Sequence, residues 1–194
     1  MNERTLEGYL ERLASGAPTP GGGSAAATVG ALAAALVAMV GRLTLASPKF
    51  AERHAELTHL IEEADALRSA CLAGARADEQ AYEAVVAAQR LPKATGQEQA
   101  ARTAALQQAL AHAAETPLRN AQTALSILRL GAAMARAGTP HAQSDVRCAQ
   151  AFARASLQGS FENVRVNHAY LKDESLVAAQ RARMQAIESE AAQL

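Results

Sequence analysis

From Ala25 to Gly41 the chain carries no charged side chain and consists mainly of Ala, Gly, Val and Leu. Ala has the highest helix propensity, and the run is poor in the β-branched and aromatic residues that strands favour, so it predicts one apolar helix. Its length lies near the lower limit for crossing a bilayer. Ala and Gly are only weakly apolar, however, and Arg42 follows at once, so the expected place is the buried centre of a soluble bundle. Gly30, Ala34 and Ala38 recur every fourth residue and form a flat ridge that lets another helix approach closely, either from the same chain or from a second copy.

The rest of the composition agrees with a helical class. Hydrophobic residues make up 49% of the 194 positions but aromatics only 3%, with no Trp, so small aliphatic side chains must fill the interior. A chain of 20.2 kDa suits one domain spanning residues 1–194, and no internal repeat or linker divides it. Lys and Arg number 19, Asp and Glu also 19, and no block of like charge stands out, which argues against a nucleic-acid partner. Cys71 and Cys148 lack metal-site spacing and read as buried free thiols of a reducing cytoplasm. Asn2, Glu3, Arg4 and Glu7 lack the basic-then-apolar order of an export signal.

Breaks and periodicity predict an antiparallel bundle of long helices. Leu6, Leu10 and Leu13 mark a short amphipathic helix that ends at Ser15-Gly16. A Pro/Gly-rich loop, Ala17 to Gly23, then leads to Ser24, a plausible N-cap for the apolar helix. After Ser47-Pro48 a second long helix is expected from about Phe50 to Arg90, with Leu57, Leu60, Ile61, Ala64, Leu67 and Cys71 on its inner face. A third, from about Gln97 to Ala137, carries Leu106, Leu110, Leu125, Leu128 and Met134 and is expected to bend or break at Pro117. The fourth begins near Ser144-Asp145 and carries Val146, Phe152, Leu157, Phe161 and Val164 inward. A charged amphipathic helix from about Asp173 docks at the edge.

Several polar residues are candidates for chemistry, each with a plainer reading beside it. Gly21, Gly22 and Gly23 at a helix start expose N–H groups suited to an anion, or simply make a tight turn. The segment is neither a Walker loop nor a dinucleotide fingerprint. Asp78, with Tyr82 one turn on, is either a surface carboxylate paired with Arg76 or Arg119, or a desolvated proton-transfer group. Asn163 and Asn167 share one helix stripe, where two amides either read the edge of a heterocycle or tie the helix to a loop. Lys93 is either solvated or a partner for a carboxylate, and Ser144-Asp145 is first of all a capping pair. His54, His59, His112, His141 and His168 have no spacing that assembles a metal site.

Pro18-Thr19-Pro20-Gly21-Gly22-Gly23-Ser24-Ala25-Ala26-Ala27 is a specific signature. It stands with Asp78 and Ala81-Tyr82, Leu91-Pro92-Lys93, Pro117-Leu118, Ser144-Asp145-Val146 and Asn163-Val164-Arg165-Val166-Asn167. Together these resemble the cyclodeaminase/cyclohydrolase family: the helical C-terminal module of formiminotransferase-cyclodeaminase and its free-standing relatives, such as methenyltetrahydrofolate cyclohydrolases.

The resemblance implies an all-α fold and a cytoplasmic folate one-carbon enzyme. Its reaction is either hydrolysis of 5,10-methenyltetrahydrofolate or ring closure of 5-formiminotetrahydrofolate with release of ammonia. It implies Asp78 as acid/base aided by Lys93, a pocket wall from Pro20, Gly21, Gly22, Gly23 and Ser24, and Tyr82, Ser144, Asp145, Asn163 and Asn167 around the substrate. It further implies no metal or redox cofactor, no membrane or nucleic acid, a homodimer, and a separate formiminotransferase where formimino transfer matters. Gln143 and Ser160-Phe161 depart from the family pattern, the latter adding bulk expected near the site. The alternative is a non-catalytic helical ligand-binding or adaptor protein of the same fold.

Overall fold

The breaks in the sequence become the corners of the chain. The computed structural model describes residues 5–194, so Asn2, Glu3 and Arg4 lie outside the described residues. Six helices follow one another: α1 (Leu6–Ala14), α2 (Gly22–Leu45), α3 (His54–Gln89), α4 (Gly96–Ala137), α5 (Gln143–His168) and α6 (Glu174–Ala191). Short 3₁₀ segments at Pro48–Arg53 and Pro140–Ala142 join them, and there is no strand among the described residues.

Half of the six starts are capped by side chains of the types that favour such positions. The Thr95 hydroxyl and the Glu98 carboxylate form a reciprocal capping box at α4, and Asp173 accepts the Leu176 N–H at α6. The start of α2 differs. Its N-cap is Gly21, without a side-chain cap, so the expected capping role of Ser24 does not hold: Ser24 lies inside the helix and is fully buried. Likewise α5 is capped at Ala142, which puts Ser144 and Asp145 within its first turn.

α2, α3, α4 and α5 form an antiparallel four-helix core in which each packs on its neighbours in chain order, and α5 closes the ring against α2. α6 lies against α4 and α5. The uncharged run is the core helix: Ala27, Ala33, Ala34, Val37, Ala38 and Val40 are all sealed from solvent. The Gly30-Ala34-Ala38 ridge serves contacts within the chain, because a Cβ at Gly30 would stand 2.8 Å from Ser156 Oγ and 3.0 Å from Cys71 Sγ.

Three further expectations are corrected. The second long helix starts at His54 rather than Phe50, because Phe50 takes a non-helical conformation inside the 3₁₀ segment that Pro48 begins. Of the two outcomes expected at Pro117, a bend or a break, the break does not occur: α4 is continuous, with the proline buried. Phe152 and Cys148 face outward, since they fall on the solvent stripe of α5 opposite Val146, Ala149 and Ala153.

Helix length positions the site. With 36 and 42 residues, α3 and α4 are about 54 and 63 Å long, whereas α2 and α5, with 24 and 26, reach only about 36 and 39 Å. The α3–α4 hairpin therefore overhangs the start of α2 and the end of α5. That step leaves a shelf roofed on one side only.

Candidate active site

On the shelf lies a cavity of about 330 Å³. Asp78, Ala81, Tyr82, Val85 and Gln89 line it from α3, Leu106, Leu110 and Ala113 from α4, and Asn163, Val166, Asn167 and Tyr170 from α5 and the turn after it. Asp78, Asn163 and Asn167 lie at the α2 end, while Val85, Leu106 and Leu110 make an apolar strip along the overhang. Such a cleft, mostly apolar with a few convergent polar groups, is how small-molecule sites are built.

Asp78 is held by the uncapped start of α2. The Ser24 backbone N–H donates to its carboxylate, and the carboxylate packs so closely on Gly23 that a Cβ there would collide with Oδ1. The helix terminus thus uses a side chain from another helix as its anionic cap. Burial raises the Asp78 carboxyl above its ordinary value; the Ser24 N–H opposes this and the adjacent Glu79 charge adds to it. Asp78 forms no ion pair with Arg76 or Arg119 or with any other cation among the described residues.

On the far side of Ser24 its hydroxyl donates to Glu79 Oε1 at 2.9 Å and lies 3.2 Å from the Tyr9 hydroxyl. Arg12 Nη1 stands 3.9 Å from Glu79 Oε2, so α1 is tied to the same turn. Two consecutive carboxylates therefore grip one residue, through its backbone on the cavity side and its hydroxyl on the other.

The two asparagines spend their side-chain N–H groups within the chain. Asn163 Nδ2 donates to Gly159 O at 2.8 Å; Asn167 Nδ2 donates to Ala113 O at 3.0 Å and to Asn163 O at 2.8 Å. Neither Oδ1 receives a hydrogen bond among the described residues. Asn163 also packs on Gly22, whose absent Cβ would meet Nδ2 at 3.4 Å. Tyr82 and Tyr170 are both exposed at the mouth, Tyr170 the more so. Gln107 holds the Tyr170 turn, donating to Tyr170 O at 3.1 Å and accepting the Lys172 N–H at 2.8 Å.

The structure thus brings Gly22, Gly23, Ser24, Asp78, Tyr82, Asn163 and Asn167 together and leaves other candidates apart. Pro20 and Gly21 precede the first turn of α2 without lining the cavity. Lys93 is exposed in the turn after α3, beyond the Gln89 end, so it does not meet Asp78. Ser144 and Asp145 sit at the opposite end of α5, about 27 Å from Asn163 by helical rise, so within one chain they do not join the cavity.

Phe161 also corrects an expectation. It is 2% exposed and packed in the core with Leu118, Leu157 and Met184, so its bulk stays out of the cavity. Gln143 ties α5 to α4 by donating to Ala135 O at 3.0 Å. Four histidines are exposed, while buried His168 pairs with Gln180 Oε1 at 2.8 Å. Among the described residues no group of three or more His, Cys, Asp or Glu is placed to hold a metal.

The sequence reading missed Glu79, Gln107 and Tyr170. Glu79 follows Asp78 directly, which was the available signal; Gln107 and Tyr170 are distant in the chain and gave none.

Comparison with known proteins agrees with this fold. The family model described as formiminotransferase-cyclodeaminase matches residues 5–186. A methenyltetrahydrofolate cyclohydrolase of Methylorubrum extorquens is 37% identical over 98% of this chain and 91% of its own length. The formimidoyltransferase-cyclodeaminase of Sus scrofa is 31% identical over 97% of this chain, which spans only 35% of that protein. The crystal structure of a formiminotetrahydrofolate cyclodeaminase from Thermotoga maritima superposes with a TM-score of 0.87 at 26% identity, covering 97% of this chain and 91% of that one. With a helical fold, a glycine-started core helix and a match over nearly its whole length, the chain belongs to the formiminotransferase-cyclodeaminase family.

Proposed function

We propose that this protein is a cytoplasmic folate one-carbon enzyme that hydrolyses 5,10-methenyltetrahydrofolate to 10-formyltetrahydrofolate, with Asp78 as its acid/base. The observation that carries the reading is the setting of Asp78: a carboxyl raised by burial, unpaired by any cation among the described residues, at one end of an apolar cleft. The cyclohydrolase relative, which aligns over 91% of its length, favours water addition.

In this reaction Asp78 takes a proton from water as the water oxygen bonds the methenyl carbon between N5 and N10. The tetrahedral carbon then collapses by breaking its bond to N5. Asp78 returns its proton to N5, and the hydroxyl proton leaves as the formyl C=O forms on N10. The steps are proton transfers and additions at carbon, which need no redox partner. Asn163 and Asn167 offer Oδ1 acceptors to N–H donors of the pterin edge, and the glycine-started turn forms the wall behind Asp78. Tyr82 and Tyr170 flank the ring. A tail lying along the apolar strip runs towards Lys93, whose ammonium suits its carboxylates.

A second reading has its own support in the Thermotoga cyclodeaminase structure. There N10 attacks the formimino carbon, Asp78 protonates the departing amine, and a formiminotransferase supplies the substrate. Purified protein offered both folates decides between them. Loss of the methenyl chromophore favours hydrolysis, its appearance from formiminotetrahydrofolate favours ring closure, and neither change leaves a non-catalytic binding protein.

The active form we propose is a homodimer. Leu32, Leu36, Met39 and Leu43 repeat at the 4-3-4 spacing of a helix–helix seam along α2, and three of them are at least 37% exposed. Antiparallel pairing about the middle of α2 would carry Ser144 and Asp145 of the partner subunit towards the cavity. Sedimentation at 20.2 kDa alone would refute it.

A further inference from the structure

A proline inside a helix removes one i→i−4 hydrogen bond, and its ring pushes the i−4 carbonyl away from the axis. In α4 the proline is Pro117, buried in an unbroken helix, and the carbonyl that loses its partner is that of Ala113. Ala113 lines the cavity, and its oxygen accepts Asn167 Nδ2 from α5 at 3.0 Å. The second amide bond of Asn167 goes to Asn163 O at 2.8 Å. With its nitrogen held from two sides, the amide has one orientation, in which Oδ1 is the atom left for a ligand.

We propose that Pro117 is a positioning residue for substrate binding: it frees the Ala113 carbonyl so that this oxygen fixes the Asn167 amide with its acceptor towards the cavity. The inference rests on Asn167 contacting the substrate in the proposed folate site. It gives a helix-breaking residue in the middle of a 42-residue helix a function, since the vacated carbonyl is satisfied by the group it orients. An N–H restored at position 117 would draw the carbonyl back to the helix axis and leave the amide free to turn its donor inward.

The test is Pro117→Ala, alone and in an Asn167→Ala background. Alanine suits a helix interior, so the variant keeps or gains thermal stability. KM for the folate that is turned over rises roughly fivefold, the size of one lost hydrogen bond, with a smaller change in kcat. In the Asn167→Ala background the same substitution leaves KM where it was. The Asn167 side-chain amide protons, followed by NMR without substrate, exchange faster in Pro117→Ala. Unchanged amide exchange, unchanged KM, or an equal KM rise in both backgrounds overturns the proposal. If the parent protein converts neither folate, the functional reading fails, while amide exchange still decides whether Pro117 orients Asn167.

Discussion

The two ends of the four-helix core put their polar groups to different use. At the end where α2 stops, polar groups are consumed by the chain itself. Thr44 Oγ1 donates to Val40 O at 2.8 Å and accepts the Thr139 N–H at 2.9 Å, and Arg53 Nη1 donates to Arg136 O at 2.9 Å. At the end where α2 begins, the helix has no side-chain cap of its own, and among the described residues Asp78 has no cation and two asparagine oxygens have no donor. A closed set of hydrogen bonds stabilises a corner; an open set beside a cavity is what a ligand completes.

The largest break in this comparison is Asp78→Asn. Turnover is expected to fall at least about a hundredfold, as loss of an acid/base does; near-normal kcat would remove Asp78 from the mechanism. Stability is expected to move the other way. Folding raises the Asp78 pKa, so the stability linked to its proton is complete below the ordinary carboxylate range and is lost as pH rises through the raised value. Asparagine imitates the neutral form, so the variant should melt above the parent at neutral pH, with the gap closing in acid.

Gly23→Ala comes next. Its Cβ would intrude on the Asp78 carboxylate, and because that group is held by the next residue's N–H it cannot simply withdraw. Displacement of the carboxylate should lower kcat by roughly tenfold or more, and overpacking should cost about 1–3 kcal/mol in denaturant melts. Wild-type kinetics would mean that the close packing of glycine and carboxylate is incidental.

The smallest effect on activity belongs to the closed end. Thr44→Val strands the Thr139 N–H at a cost of about 1–2 kcal/mol, with kcat and KM unchanged. In the proposed homodimer the closed end of the partner subunit approaches this cavity, so a kinetic defect there would show that the Thr44 corner sets that approach.

Much of this was legible in the residues. The Pro/Gly loop, Ser47-Pro48, Leu91-Pro92 and Gly138-Thr139-Pro140 place the corners because proline and glycine act locally. Asp78, Tyr82, Asn163 and Asn167 were legible as candidates because one-turn spacing places side chains on a common stripe. Phe152 and Phe161 show the limit. Both are aromatic residues expected in the core of one helix, and only the direction from which α2, α4 and α6 approach α5 decides that Phe161 is buried and Phe152 is not.

By itself, then, the sequence determined the helices, their order and the signature of the family, because these depend on neighbours within a few residues or on motifs carried whole. The tertiary structure decided which polar groups meet. The overhang of α3 and α4, the pairing of Gly23 with Asp78, and the separation of Ser144 and Asp145 from the cavity all follow from how rods of unequal length pack side by side. Contacts between residues far apart in the chain depend on that packing, and helical periodicity carries no record of it.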